Sequence, residues 1–218
     1  MSISHYIKNI GRGKDGARAI DRAQAADLMG QVLDGEISDL ELGAFCLAMR
    51  IKGETAEEMA GFLDATHARL NTIATSGAPT VVLPSYNGAR KLPVLTPLLA
   101  LLLTREGVAV VVHGAATEDK RVTSEAVFAE LGILPSASSA SAGQVVLVRT
   151  ASLHAGLDHL LSVRRVVGLR NSGHSLVKLM NPCDRPALVV GSYTHPEYLQ
   201  SMSATFALTG QHALLLRG

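Results

Sequence analysis

The chain is poor in the residues that staple, anchor or stack. Two cysteines, Cys46 and Cys183, are too few for a disulfide framework, and a reducing cytoplasm is therefore the expected compartment. Tryptophan is absent and aromatics make up 4% of the residues, so base-stacking platforms are scarce, with Tyr86 and Tyr193 as the candidates. No run approaches the roughly 18 uninterrupted apolar residues that span a bilayer, and no apolar signal segment opens the chain. No membrane partner is expected. The eight histidines form no HExxH motif and no His/Cys cluster, which argues against zinc. No Walker loop or dinucleotide fingerprint occurs, and Ser85 and Ser175 sit in no nucleophile elbow.

What is present is a 218-residue chain, 47% hydrophobic, enough for one large domain or two small ones. Its net charge of +1 by itself points to no polyanionic partner. The distribution is less even: five bases against two acids over 1–22, nine acids against three bases over 23–70, and twelve bases against eight acids from 71 onward. Acids gathered in one helical segment leave the remaining surface basic.

The basic loop Gly11–Arg18 sets Arg12, Lys14 and Arg18 among three glycines, a composition that fits a phosphate-gripping loop or plain solvated terminal residues. Three helices follow. Asp21 caps one carrying Leu28, Met29, Val32 and Leu33, which Gly35 ends. Ser38-x-x-Glu41 and Thr55-x-x-Glu58 are capping boxes opening Leu42–Ile51 and Met59–Leu70. Their short links predict a compact helical domain over 1–75, joined in space by helices from about 153–182, with a homodimer interface on it.

From Thr80 the pattern alternates between strand and helix. Thr80–Leu83, Val108–Gly114, Gln144–Arg149, Ala187–Tyr193 and His212–Gly218 read as strands, with helices at 92–104, 124–131 and 196–208. Continuous apolar strands spaced by helices predict an α/β domain over 76–152 and 183–218 with a mostly parallel sheet. Ligands of such sheets sit at the carboxyl ends of the strands, where Asn87, Arg90, His113 and His195 would fall. Pro84 ends the first strand, Asn87-Gly88 makes a turn, and Arg90 and Lys91 lead into the next helix. A helix N-terminus flanked by two cations suits a phosphate, and the same stretch also reads as a βα turn with two solvated cations. His113 fits either a hydrogen-bonded structural residue or a general base. Between 153 and 182 the chain adds Arg164, Arg165, Arg170, His174 and Lys178, and at least one of the paired arginines must face outward.

At this point the motifs become specific. The stretch from Asp27 to Phe62 resembles the N-terminal helical domain of anthranilate phosphoribosyltransferases, and Leu153–Pro182 resembles their segment crossing between two domains. GRGK, LELG, RIKGE, PSYNGARK, VVHG, RNSGH and SYTHPEY more narrowly resemble the YbiB family, TrpD-like nucleic-acid-binding relatives of that enzyme. The resemblance runs in order over essentially the whole chain. It implies a nucleoside phosphorylase/phosphoribosyltransferase-like fold. It also implies a C-terminal part missing after Gly218, which would leave apolar sheet surface exposed.

The departures from the enzymes matter most. Where they carry a GTGGD-type diphosphate loop, this chain has Pro84-Ser-Tyr-Asn-Gly88, without its small glycines and acid. Their KHGN stretch is reduced to Val112-His113-Gly114-Ala115, and Lys178 replaces the proline of their LGP. Arg164 matches the arginine associated with anthranilate. The resemblance therefore implies a catalytically degenerate fold that binds nucleic acid without sequence preference. The expected phosphate-binding set is Arg12, Lys14, Arg18, Asn87, Arg90, Lys91, His113, Arg164, Arg165, Arg170 and Lys178. No catalytic residue, metal or cofactor is expected on that reading. The competing reading is a phosphoribosyltransferase acting on an anthranilate-like or other aromatic acceptor, with Mg2+ and phosphoribosyl pyrophosphate.

Overall fold

The structure is a computed structural model describing residues 2–13, 15–86, 88–89, 92–116, 120–136 and 139–218. It divides into a helical unit (1–69, 155–177 and 195–210) and an α/β unit (70–154, 178–194 and 211–218).

The helical unit contains α1 (Ser4–Ile10), α2 (Arg22–Leu33), α3 (Asp39–Lys52), α4 (Ala56–His67), α8 (Ala155–Val167), α9 (Gly173–Leu176) and α10 (Pro196–Thr209). Each of α2, α3 and α4 opens on a complete capping box, from Asp21, Ser38 and Thr55 respectively. In the second box Glu41 accepts from the Ser38 backbone N–H at 3.0 Å and from its hydroxyl at 2.8 Å. It accepts from the Ser2 hydroxyl at 2.8 Å as well. These donors, the Ser38 backbone N–H first, pull its carboxyl down to about 2. Helices α2 and α4 pack face to face, and Phe45 meets Phe62 edge-on with ring centroids 6.1 Å apart. Short helix α1, with no side-chain cap, is not visible in the sequence pattern and packs against α3. Helix α10 was expected with the α/β domain. It packs instead against α4, so the chain leaves the α/β unit after Thr194 and returns to it at Gln211.

The α/β unit is a five-stranded parallel sheet in the order β3-β2-β1-β4-β5, with β1 (Thr80–Pro84), β2 (Ala109–Gly114), β3 (Val145–Arg149), β4 (Leu188–Tyr193) and β5 (Ala213–Arg217). Helices α5 (Thr96–Arg105), α6 (Ser124–Glu130) and α7 (Thr150–Leu153) complete it. Val81, Leu83, Val110, Val112 and Leu147 share one face and pack under Ala100 of α5 and Phe128 of α6. The intervening residues, Val82, Val111 and His113 among them, point to the opposite face and are also fully buried. Helix α5 begins at Thr96 with a proline in its first turn, later than the periodicity suggested, leaving Leu92 exposed. On edge strand β5, Leu214 and Leu216 stand half-exposed. No helix among the described residues is long and apolar enough to cross a membrane. Both cysteine thiols are buried. Burial pushes Cys46 up to about 11 and Cys183 up to about 12, so neither is a ready nucleophile.

Candidate functional site

At the carboxyl ends of β1, β2 and β3 the sheet closes over a tyrosine. Tyr86 is 6% exposed, and its hydroxyl lies 2.7 Å from His113 Nδ1 and 3.0 Å from Thr150 Oγ1. Thr150 Oγ1 in turn donates to the Gly114 carbonyl at 3.1 Å. Ser85 donates its backbone N–H to the His113 carbonyl at 2.8 Å, and its hydroxyl meets that of Ser124 at 2.7 Å. Beside this cluster Arg149 is ion-paired with Glu125. A cavity of about 20 Å³ remains, lined in part by Ser85, His113, Ser124 and Glu125, with room for about one water. Among the described residues no group of three or more His, Cys, Asp or Glu converges as a metal site requires.

The expected phosphate contacts separate into three classes. Lys14, Asn87, Arg90 and Lys91 lie outside the described residues. His113 is fully buried against Tyr86 and offers no surface to a backbone phosphate. In the helical unit, Arg12, Arg18 and Arg165 are exposed and Arg164 and Arg170 half-buried, while Lys178 of the α/β unit is half-buried. One of the paired arginines does face outward. Tyr86, a stacking candidate, is occupied inside the site. Tyr193 is half-buried, and Tyr198 near the start of α10, passed over in the sequence, is exposed with its ring centroid 6.1 Å from that of His195.

The described residues of the loop after α1 are held by hydrogen bonds. Ala17 donates its backbone N–H to Gly13, Arg18 to Asn9, and Ile20 to the Glu58 carboxylate at 3.0 Å. Arg12 donates to the Lys8 carbonyl, and neither it nor Arg18 is paired with a carboxylate among the described residues. Other bases of the same unit are consumed internally: Arg22 binds Asp64 at 2.6 Å, Arg69 binds Asp34 at 2.7 Å, and Lys52 binds buried Glu58 at 2.6 Å. Thr150 was missed as a site-shaping residue, and Glu58 was seen only as a capping residue, because the Thr150–Gly114 and Glu58–Ile20 bonds join chain 36 and 38 positions apart.

Against known proteins, residues 4–69 match the family model of the glycosyl transferase family helical bundle domain. The chain is 41% identical to the Escherichia coli K12 protein named "Uncharacterized protein YbiB", over 100% of this chain and 71% of that protein. It is 28% identical to an anthranilate phosphoribosyltransferase of Anaeromyxobacter dehalogenans, over 99% of this chain and 65% of the enzyme. Among solved structures, the anthranilate phosphoribosyltransferase TrpD from Thermus thermophilus superposes with a TM-score of 0.80 at 22% identity, covering 97% of this chain and 65% of that one. The Saccharomyces cerevisiae enzyme in complex with PRPP and Mg gives 0.71 at 11% identity, covering 97% and 64%. The chain thus spans about two thirds of the length of these relatives, and at such identities the structures speak for the fold alone. With 41% identity along its whole length and the enzyme's two-part architecture, this chain belongs to the YbiB family of TrpD-like proteins, relatives of anthranilate phosphoribosyltransferase.

Proposed function

We propose that this chain binds nucleic acid through backbone phosphates, with little base selectivity, on a phosphoribosyltransferase fold whose diphosphate loop has been replaced. The observation that carries the reading is the division of cations in the helical unit. Arg22, Lys52 and Arg69 are spent on internal ion pairs, whereas Arg12 and Arg18 project from a hydrogen-bonded loop without a carboxylate partner among the described residues. Exposed, uncompensated arginines on a fixed backbone are suited to phosphate, which they neutralise with release of counterions. The test is fluorescence anisotropy of a labelled single-stranded oligonucleotide over a salt series. Affinity should fall linearly on a log–log plot, and an Arg12→Ala/Arg18→Ala variant should flatten the slope by about 1.4. No binding at low salt sinks the reading. Displacement by phosphoribosyl pyrophosphate with magnesium favours the transferase instead.

The same unit supports pairing of two chains. Leu40, Leu47 and Ile51 lie along one face of α3 and are 83%, 46% and 60% exposed. A Leu47→Glu/Ile51→Glu variant should sediment as a monomer where the unmodified chain sediments as a dimer. A monomeric unmodified chain at about 50 μM removes this part of the proposal.

A further inference from the structure

We propose that Tyr86 is an internal occupant of the strand-end site: its phenol fills the position where a parallel sheet takes a ligand and closes this chain to phosphoribosyl pyrophosphate. The inference is independent of the nucleic-acid reading. Tyr86 follows β1 at the sheet's carboxyl edge, the side on which open α/β sheets hold their ligands. There its ring is treated as a bound ligand would be. It is 6% exposed, and both side chains that grip its hydroxyl, His113 and Thr150, are fully buried.

The hydrogen bonds have one consistent direction. A carbonyl accepts only, so Thr150 spends its single proton on Gly114 and must accept from Tyr86. Tyr86 has then spent its own proton, and the 2.7 Å contact requires His113 Nδ1–H to donate to it. The chain His113 to Tyr86 to Thr150 to Gly114 is a polarised relay among buried side chains, where each bond strengthens the next.

Described residues on either side of the ring in sequence are held by backbone hydrogen bonds. Ser85 is bonded to the His113 carbonyl, and Ala89 and Val122 exchange backbone hydrogen bonds of 2.8 and 3.2 Å. Two glycines permit the close fit. A Cβ on Gly114 would stand 2.3 Å from the Ser85 carbonyl oxygen. Gly88 takes φ +57°, and a Cβ there would stand 2.8 Å from the Val122 carbonyl oxygen. Next to His113, the ring's partner, a cavity of about 20 Å³ has room for about one water.

The test empties the site and refills it. In a Tyr86→Gly variant, phenol at millimolar concentration should raise Tm by about 3 °C or more and saturate, as a ligand of the folded state does. Benzene, which lacks the hydroxyl, should do less, and a Tyr86→Gly/Thr150→Val variant should lose the preference for phenol. The unmodified chain should respond to neither, and should give no saturable heat with phosphoribosyl pyrophosphate and magnesium in calorimetry. One-to-one binding of that ligand by the unmodified chain overturns the proposal. So does a folded Tyr86→Gly chain that phenol does not stabilise. If the variant unfolds on its own, the readout is recovery of its circular dichroism in phenol, and no recovery overturns the proposal equally.

Discussion

A Lys52→Met variant is expected to lose about 3–5 kcal/mol of stability in the helical unit, the cost of stranding a buried charge. Glu58 is fully buried, and its carboxylate is held by Lys52 Nζ at 2.6 Å, the Thr55 backbone N–H at 2.8 Å and the Ile20 backbone N–H at 3.0 Å. The Lys52 side chain is itself 8% exposed, and its ammonium donates also to the Gly53 carbonyl at 2.7 Å. Methionine fills much of the lysine stem's volume, so packing changes little and the loss reports mainly the charge. Urea unfolding followed by far-ultraviolet circular dichroism measures it. A second variant, Lys52→Met/Glu58→Met, should recover only part of the loss, because the N–H groups of Ile20 and Thr55 would then lack their acceptor. A single-variant loss below about 1 kcal/mol would mean that the pair behaves like a solvent-screened surface bridge. Ile20 closes the loop bearing Arg12 and Arg18, so the variant should also loosen the arginines to which phosphate binding is assigned.

This pair shows where sequence reading reaches and where it stops. Thr55-x-x-Glu58 is legible as a capping box because its geometry is local, and the helix starts where the box predicts. That the same glutamate also accepts from Ile20, 38 residues away, is a tertiary fact with no trace in the motif. The parallel sheet was legible for a similar reason. Runs such as Ala109–Val112 are apolar without alternation, as burial on both faces demands. The strand-end site was half legible: Pro84–Gly88 announced a turn that departs from a diphosphate loop. Whether Tyr86 faced solvent or the sheet depended on Thr150, which has no signature, and the ring proved to be buried rather than available for stacking. Helix α10 was found to within a residue, but the partner of its apolar face was not, since amphipathicity states that a face is buried and not against what.

Gly61→Ala is expected to destabilise the helical unit by about 3 kcal/mol, although intrinsic helix propensity predicts a gain of about 1 kcal/mol at a helix interior. Gly61 lies within α4 and is buried where α2 crosses it. A Cβ there would stand 2.2 Å from the Arg22 carbonyl oxygen, 2.8 Å from Ala25 Cβ and 3.0 Å from the Ala26 backbone nitrogen. Two of these three neighbours are backbone, so no rotamer change relieves the clash and the two helices must move apart. Separation would break the best-packed interface of the unit and pull Arg22 from Asp64, a bidentate pair with bonds of 2.6 and 2.8 Å. The sign of the effect is therefore the informative quantity. Thermal unfolding should show a Tm lower by about 6–12 °C, at 2–4 °C per kcal/mol for a chain of this size. A higher Tm would mean that propensity wins and that α2 and α4 do not approach this closely. Gly43 makes the control: it lies inside α3 with nothing within 4 Å of its would-be Cβ, so Gly43→Ala should follow propensity and stabilise. Opposite signs at two helical glycines of one unit would separate backbone crossing from helix propensity as the cause.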